Sequence, residues 1–348
     1  MSDTVINIGV IGLGSISSSH IPTYQKDSRV KLIAICDTEG NWLNFQKQNL
    51  KVEHAYIDYD ELLANKEIDA VSICLPTYLH KEATISALKA GKHVLCEKPM
   101  AINAKEAIAM HDAAQKAGKK LMIRQNQRFE AGSQLLKKQV ELGTFGDIYF
   151  IRTAWRRPLG MMPTPLTMRA NNSVYSRNWF NEKDKGGGVL RDLGCHLIDL
   201  AMFLTSFPKL SDASCSCYRK FTPDIEDKSK YVFDSEDLVS AHLKFENGMS
   251  MEIEMSFGSF VEEEIIFTEI YGTKAGASRR NGKIKFFRDI NGAYTNEVLR
   301  QNCYDDKDSI EAFIDCIAND TEPPVTSSQG IEIIKILDAM YKSAGNIQ

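Results

Sequence analysis

No stretch of the chain is basic enough to grip nucleic acid. Lys and Arg together number 42 against 46 Asp and Glu, the formal net charge is −4, and the two signs are mixed along the chain. Long apolar runs are missing too: the longest are strand-sized, far short of a membrane span. The first residues, Met1-Ser2-Asp3-Thr4, carry neither the basic stretch nor the cleavage site of an export signal. There is no Cys-x-x-Cys. The eight cysteines (Cys36, Cys74, Cys96, Cys195, Cys215, Cys217, Cys303 and Cys316) are scattered, and the first three end apolar runs where Cys acts as a small hydrophobe. Reduced thiols and a cytoplasmic location are the expectation. Cys215 and Cys217 alternate as strand residues do, but no nearby His completes a metal set, so no metal is expected. Internal repeats and low-complexity tracts are absent as well.

What is present suits a soluble protein of two domains. The 348 residues are 43 % hydrophobic and 25 % charged. The first third alternates strand and helix. Residues 5–11, 30–36, 70–75, 93–96 and 121–123 read as buried strands. Helices are expected at 15–26, 41–48, 58–65 (opened by a capping Asp), 80–90 and 104–117. Repeated units of this spacing imply a parallel sheet with right-handed crossovers.

Near residue 130 the pattern changes. A connecting helix at 131–142 precedes strand-like segments at 148–155, 238–245, 249–257, 265–271 and 284–287 with no helices between them. Glu246-Asn247-Gly248 reads as a hairpin turn. A mostly antiparallel sheet is therefore expected, after a long aperiodic stretch at 156–185. Amphipathic helices follow at 308–318 and 331–344. The division implied is α/β throughout: residues 1–128, then 129–329, with a helix at 330–345 returning toward the first domain.

Gly12-Leu13-Gly14-Ser15-Ile16-Ser17 follows the first strand and opens a helix. The first glycine permits a tight turn, the second lets backbone approach a pyrophosphate, and the third position needs a small residue, here Ser17. The helix start offers free N–H groups to phosphate. Asp37 ends the second strand, 25 residues after Gly12, where a carboxylate accepts from ribose hydroxyls and repels a 2′-phosphate. NAD is favoured over NADP.

Ligands of open α/β sheets sit beyond the carboxyl ends of the strands, where Pro76-Thr77-Tyr78-Leu79-His80 and Glu97-Lys98-Pro99 fall. An ammonium there can hydrogen-bond a substrate hydroxyl. Far downstream, Gly186-Gly187-Gly188 opens a helix carrying Asp192, His196 and Asp199, within roughly 60° of one another at about 100° per residue. A polar stripe on an apolar helix is costly unless its groups find partners. An acid one turn before a histidine can fix its tautomer. The other histidines, His20, His54, His93, His111 and His242, have no comparable setting; His80 does. A dinucleotide loop, a strand-end lysine and an Asp/His helix together point to hydride transfer at an alcohol carbon.

With these residues in hand the chain resembles the Gfo/Idh/MocA oxidoreductases, a family of inositol, glucose and related sugar dehydrogenases. The likeness rests on the glycine loop, Asp37, Pro76–His80, Glu97-Lys98-Pro99, Asn126-Gln127-Arg128-Phe129, the Gly186–Asp199 segment, Tyr271-Gly272-Thr273-Lys274 and Pro324. It implies an N-terminal Rossmann domain and a C-terminal α/β domain with a large open sheet, through whose face homodimers or homotetramers form. It implies Lys98, Asp192 and His196 as the catalytic set, with His196 as base, Lys98 steadying the alkoxide, and Asp192 orienting His196 or binding a neighbouring hydroxyl. The cofactor would meet Gly12, Gly14, Ser15, Ile16, Asp37, Pro76, Thr77, His80, Glu97 and Lys98. Arg128 and Trp155 would line the substrate pocket beside the catalytic three, and the substrate would be a polyol or sugar. Relatives that use NAD transiently to cleave glycosidic bonds, and non-catalytic dinucleotide-binding regulators, are the alternatives the resemblance leaves; the regulators usually lose the lysine or histidine, and both are present here. Reduction of an imine or a tetrapyrrole is a third, weaker one.

Overall fold

The computed structural model describes residues 5–161, 166–168, 174–176, 178–221, 231–299 and 308–348. Cys303 and parts of the 156–185 stretch lie outside them.

Six parallel strands form the first sheet: β1 (Ile6–Ile11), β2 (Val30–Cys36), β3 (His54–Tyr56), β4 (Ala70–Ile73), β5 (His93–Cys96) and β6 (Leu121–Ile123), in the order β3-β2-β1-β4-β5-β6. This is the doubly wound dinucleotide-binding order, with its switch point between β1 and β4. The connecting helices are α1 (Ser17–Lys26), α2 (Gly40–Leu50), α3 (Tyr59–Ala64), α4 (His80–Lys89) and α5 (Ala104–Ala117). Helices on both faces leave the central strands nothing to show to water, and Ile8, Val10, Ala70 and Val71 are fully buried. Asp58 caps α3, its side chain accepting from Asp60 N. The Lys98–Pro99 peptide is cis.

Helix α6 (Ala131–Glu141) leads into the second sheet. Strand β7 (Ile148–Pro158) runs three residues past its expected end. Within the 156–185 stretch, β8 (Leu166–Met168) and β9 (Val174–Ser176) pair antiparallel in a two-stranded sheet, and the described residues also form short 3-10 turns. Helix α7 (Cys195–Leu204) follows, then β10 (Leu210–Tyr218), β11 (Leu238–Phe245), β12 (Ser250–Ser259), β13 (Ile265–Gly272), β14 (Ala275–Arg280), β15 (Lys283–Ile290) and β16 (Ala293–Leu299). The sheet order is β10-β11-β12-β7-β13-β14-β15-β16; β12 and β7 are parallel and the other pairs antiparallel. Alternation along β11, with Val239, Ala241 and Leu243 buried between more exposed neighbours, shows one face packed and one open. The β11–β12 turn is the Asn-Gly turn, with Gly248 at φ 86°.

Helix α8 (Ser309–Ala318) lies against α1, and α9 (Ser327–Ala344) lies on α5 and β10, touching both domains. A capping box of Thr326 and Gln329 starts α9. Ala104 N donates to Asp338 Oδ2 (2.8 Å), which ties α9 to the start of α5. Among the described residues no helix is long and apolar enough to cross a membrane.

Candidate active site

The glycine turn closes against β4. Gly12 has φ +91°, and a Cβ there would lie 2.5 Å from the Cys74 carbonyl oxygen, so no other residue fits. Asp37 faces this turn: Oδ2 accepts from Leu13 N (2.8 Å) and Oδ1 from Glu39 N (3.0 Å). Trp42 Nε1 donates to Leu13 O from the other side (3.0 Å). No side chain caps α1, whose N-cap is Ile16. Gly14, Ser15, Ile16, Asp37 and Pro76 reach the surface around this opening. An uncapped helix start behind a glycine turn, with a carboxylate at the next strand end, fits a dinucleotide.

Gly12, Thr77, His80 and Glu97 are buried beneath that surface. His80 is fully buried between the two strand-end loops, its Nδ1 facing the Pro99 carbonyl (2.9 Å) and its Nε2 the Leu75 carbonyl (2.8 Å), and a neutral ring donates to one of the two. Burial holds its pKa below the ordinary value. Glu97 accepts from Arg124 Nη1 (2.9 Å) and faces His20 Nε2 at 2.8 Å. Burial opposes its charge, but His20, Arg124 and Lys98 prevail and hold its pKa down at about 2. His20, expected to have no special setting, lies at the centre of this layer: its Nδ1 meets Ser72 Oγ (3.0 Å), which meets Tyr24 OH (2.6 Å). A neutral ring with Nε2–H toward Glu97 accepts from Ser72 at Nδ1, so every donor in the chain has an acceptor. Burial keeps His20 below its ordinary pKa.

Above this layer Lys98 crosses to the second domain. Its Nζ donates to Asp192 Oδ1 (2.7 Å) and to Asp192 O (3.2 Å), across 94 positions of sequence. Both side chains are about one-sixth exposed, at 17 % and 16 %. Burial opposes both charges. Asp192 nevertheless raises the Lys98 pKa, and Lys98 lowers that of Asp192. His196 lies one turn on, with its ring centroid 5.9 Å from that of Trp155. Its Nδ1 is buried without a hydrogen-bond partner. Burial, then Lys98, hold its pKa down at about 3.

The polar stripe of this segment divides in an unexpected way. Leu190–Gly194 is a π-helical turn ahead of α7. The wider turn changes the angle between Asp192 and the residues after it. Asp192 goes to Lys98, leaving His196 without the hydrogen bond expected from it. Asp199 turns to Arg128. Arg128 is 2 % exposed and donates from Nε and Nη2 to the two Asp199 oxygens (2.7 and 2.6 Å) and from Nη1 to Gln329 (2.7 Å). Its guanidinium is spent on this pair, so Arg128 does not line the substrate pocket expected for it. Trp155 does adjoin His196.

The fold is a dinucleotide-binding Rossmann sheet followed by an α/β unit with a large, mostly antiparallel sheet. The Gfo/Idh/MocA model for an oxidoreductase NAD-binding Rossmann fold matches residues 6–125, and that for the family's C-terminal alpha/beta domain matches residues 137–347; the chain belongs to this family. It is 28 % identical over 353 aligned residues to the D-glucoside 3-dehydrogenase of Escherichia coli, covering 99 % of this chain and 97 % of that one. It is 35 % identical to the myo-inositol 2-dehydrogenase of Thermotoga maritima over 199 residues, 57 % of this chain and 54 % of the relative. The fold matches a levoglucosan dehydrogenase solved with NADH at a TM-score of 0.84 and 22 % identity, over 98 % of this chain and 97 % of that one.

Proposed function

We propose that the protein oxidises a secondary ring hydroxyl of a sugar or cyclitol, with NAD preferred over NADP. The observation that carries this reading is the Lys98–Asp192 contact, which brings the strand-end lysine and the α7 segment into one cleft. Full-length similarity to a glucoside dehydrogenase supports the substrate class. Two of the three Lys98 ammonium donors are held by Asp192, and the third is left for a substrate oxygen. Lys98 then steadies the developing alkoxide, while neutral His196 takes the hydroxyl proton. A nicotinamide dinucleotide at the glycine turn supplies the hydride acceptor. Asp37 disfavours a 2′-phosphate by charge.

The test is a panel of glucosides, aldoses and inositols assayed in parallel with NAD and NADP, following nicotinamide absorbance. Turnover of at least one ring alcohol with NAD is expected. Lys98→Ala is expected to lower it by about 10² or more with nucleotide binding retained. Unchanged turnover in that variant would remove Lys98 from the chemistry.

A further inference from the structure

Beside His196 lies a three-residue clamp, of which the reading so far uses only Trp155. Trp155 and Arg157 are two apart on β7 and share its packed face. Glu264 immediately precedes β13, whose first residue, Ile265, is in register with Arg156. A single oxygen, Glu264 Oε1, accepts from Trp155 Nε1 (2.8 Å) and from Arg157 Nε (3.0 Å). The guanidinium carbon lies 4.9 Å from the Trp155 ring centroid, and the Trp155 ring adjoins His196. The order from the reacting centre outward is therefore imidazole, indole, guanidinium. Arg157 and Glu264 are partly exposed, at 21 % and 33 %. Arg157 also acts on the cleft electrostatically, since it helps to lower the pKa of Asp192. Among the described residues, the Arg157 side chain hydrogen-bonds through Nε, to Glu264, and not through Nη1 or Nη2.

A free arginine at this distance would recruit anions, because its planar fork matches phosphate and carboxylate. A carboxylate on Nε cancels that charge at close range, and the field of the resulting pair falls off faster than that of a lone cation. The Nη groups can still donate to neutral hydroxyls.

We propose that Glu264 is a specificity-determining residue: by neutralising Arg157 at the edge of the cleft, it makes the site select uncharged sugar rings over sugar phosphates and uronates. This rests on the sugar-oxidising reading above.

The experiment measures kcat/KM with NAD for methyl glucoside and for glucose 6-phosphate, in the native enzyme and in Glu264→Gln. The ratio of anionic to neutral substrate should rise at least about tenfold in the variant, as expected for one unopposed charge near a charged ligand. Arg157→Met, which leaves Glu264 as a bare anion, should move the ratio the other way. The same ratio is read independently as equilibrium binding of the two sugars to the NADH-loaded protein, by tryptophan fluorescence. A ratio unmoved by either substitution, or an equal loss on both sugars, would overturn the proposal and reduce the clamp to a support for Trp155. Turnover without a shifted ratio sinks this inference alone. A shifted binding ratio with no turnover of any sugar sinks the dehydrogenase reading and leaves Glu264 as a selector of what the cleft holds.

Discussion

At the scale of single residues, His196 is where charge and chemistry are most tightly linked. Its pKa is held at about 3 by burial and by Lys98. An imidazole with a folded pKa below its unfolded value of about 6.5 contributes stability in full above that value. The contribution is lost as pH falls from about 6.5 toward about 3. The same shift keeps the ring unprotonated across the working range, so kcat/KM is expected to show no inflection near pH 6.5 attributable to this group. Lys98→Met should raise the His196 pKa, because it removes a nearby cation and leaves Asp192 unopposed. NMR titration of the ring reads this directly, and an unmoved pKa would mean that Lys98 does not act on His196. Lys98 and the glycine turn were legible in the sequence because each is a short local pattern at a strand end. His20 was not: it sits in a run of serines on α1, and its partners Ser72 and Glu97 are 52 and 77 positions away. Glu264 was silent for the same reason, 109 positions from Trp155.

At the scale of elements, the turn into α7 sets the catalytic geometry. Gly188 has φ +105°, and a Cβ there would lie 2.2 Å from Glu236 Oε1. That oxygen accepts from Leu190 N (3.0 Å) at the start of the π turn and from Tyr341 OH (2.8 Å) on α9. Burial pushes the Glu236 pKa up, against the hydrogen bonds it accepts. Gly188→Ala is expected to displace Glu236, destabilise the fold by ~1–3 kcal/mol and lower kcat/KM more than it weakens NAD binding. Urea unfolding and a nucleotide titration separate the two effects; equal losses in both would argue against a local role. The triple glycine showed that a helix begins here. The π turn was hidden, since a hydrophobic period of 3.6 carries no mark of one wide turn. The strands β10, β14 and β16 were also hard to read. Ala275-Gly276-Ala277-Ser278-Arg279-Arg280 has no β-branched residue, and it becomes a strand because β13 and β15 pair with it on either side. The Asn-Gly turn, by contrast, is encoded locally and announced its hairpin.

At the scale of the whole molecule, the cleft exists only if the segment after β6, helix α7 and helix α9 stay together. Arg128 joins all three, through Asp199 on α7 and Gln329 on α9, with Phe203 and Phe207 flanking its guanidinium at 5.3 and 5.1 Å. Resemblance had assigned Arg128 to the pocket; the pairing that redirects it depends on the packed arrangement of segments distant in sequence. Burial pushes the Asp199 pKa up even against Arg128. Removing one partner of such a pair strands the other charge, at ~3–5 kcal/mol. Asp199→Ala should therefore lose about that much stability in urea. The double variant Arg128→Met/Asp199→Ala should recover a large part of it, since the stranded charge goes too. If the single variant costs less than ~1 kcal/mol, the range of an exposed pair, the junction is wet and Arg128 is not what holds the two domains in register. A full cost recovered by the double variant would place the integrity of the cleft in this pair, its effect carried to the reacting groups by the dense packing around it.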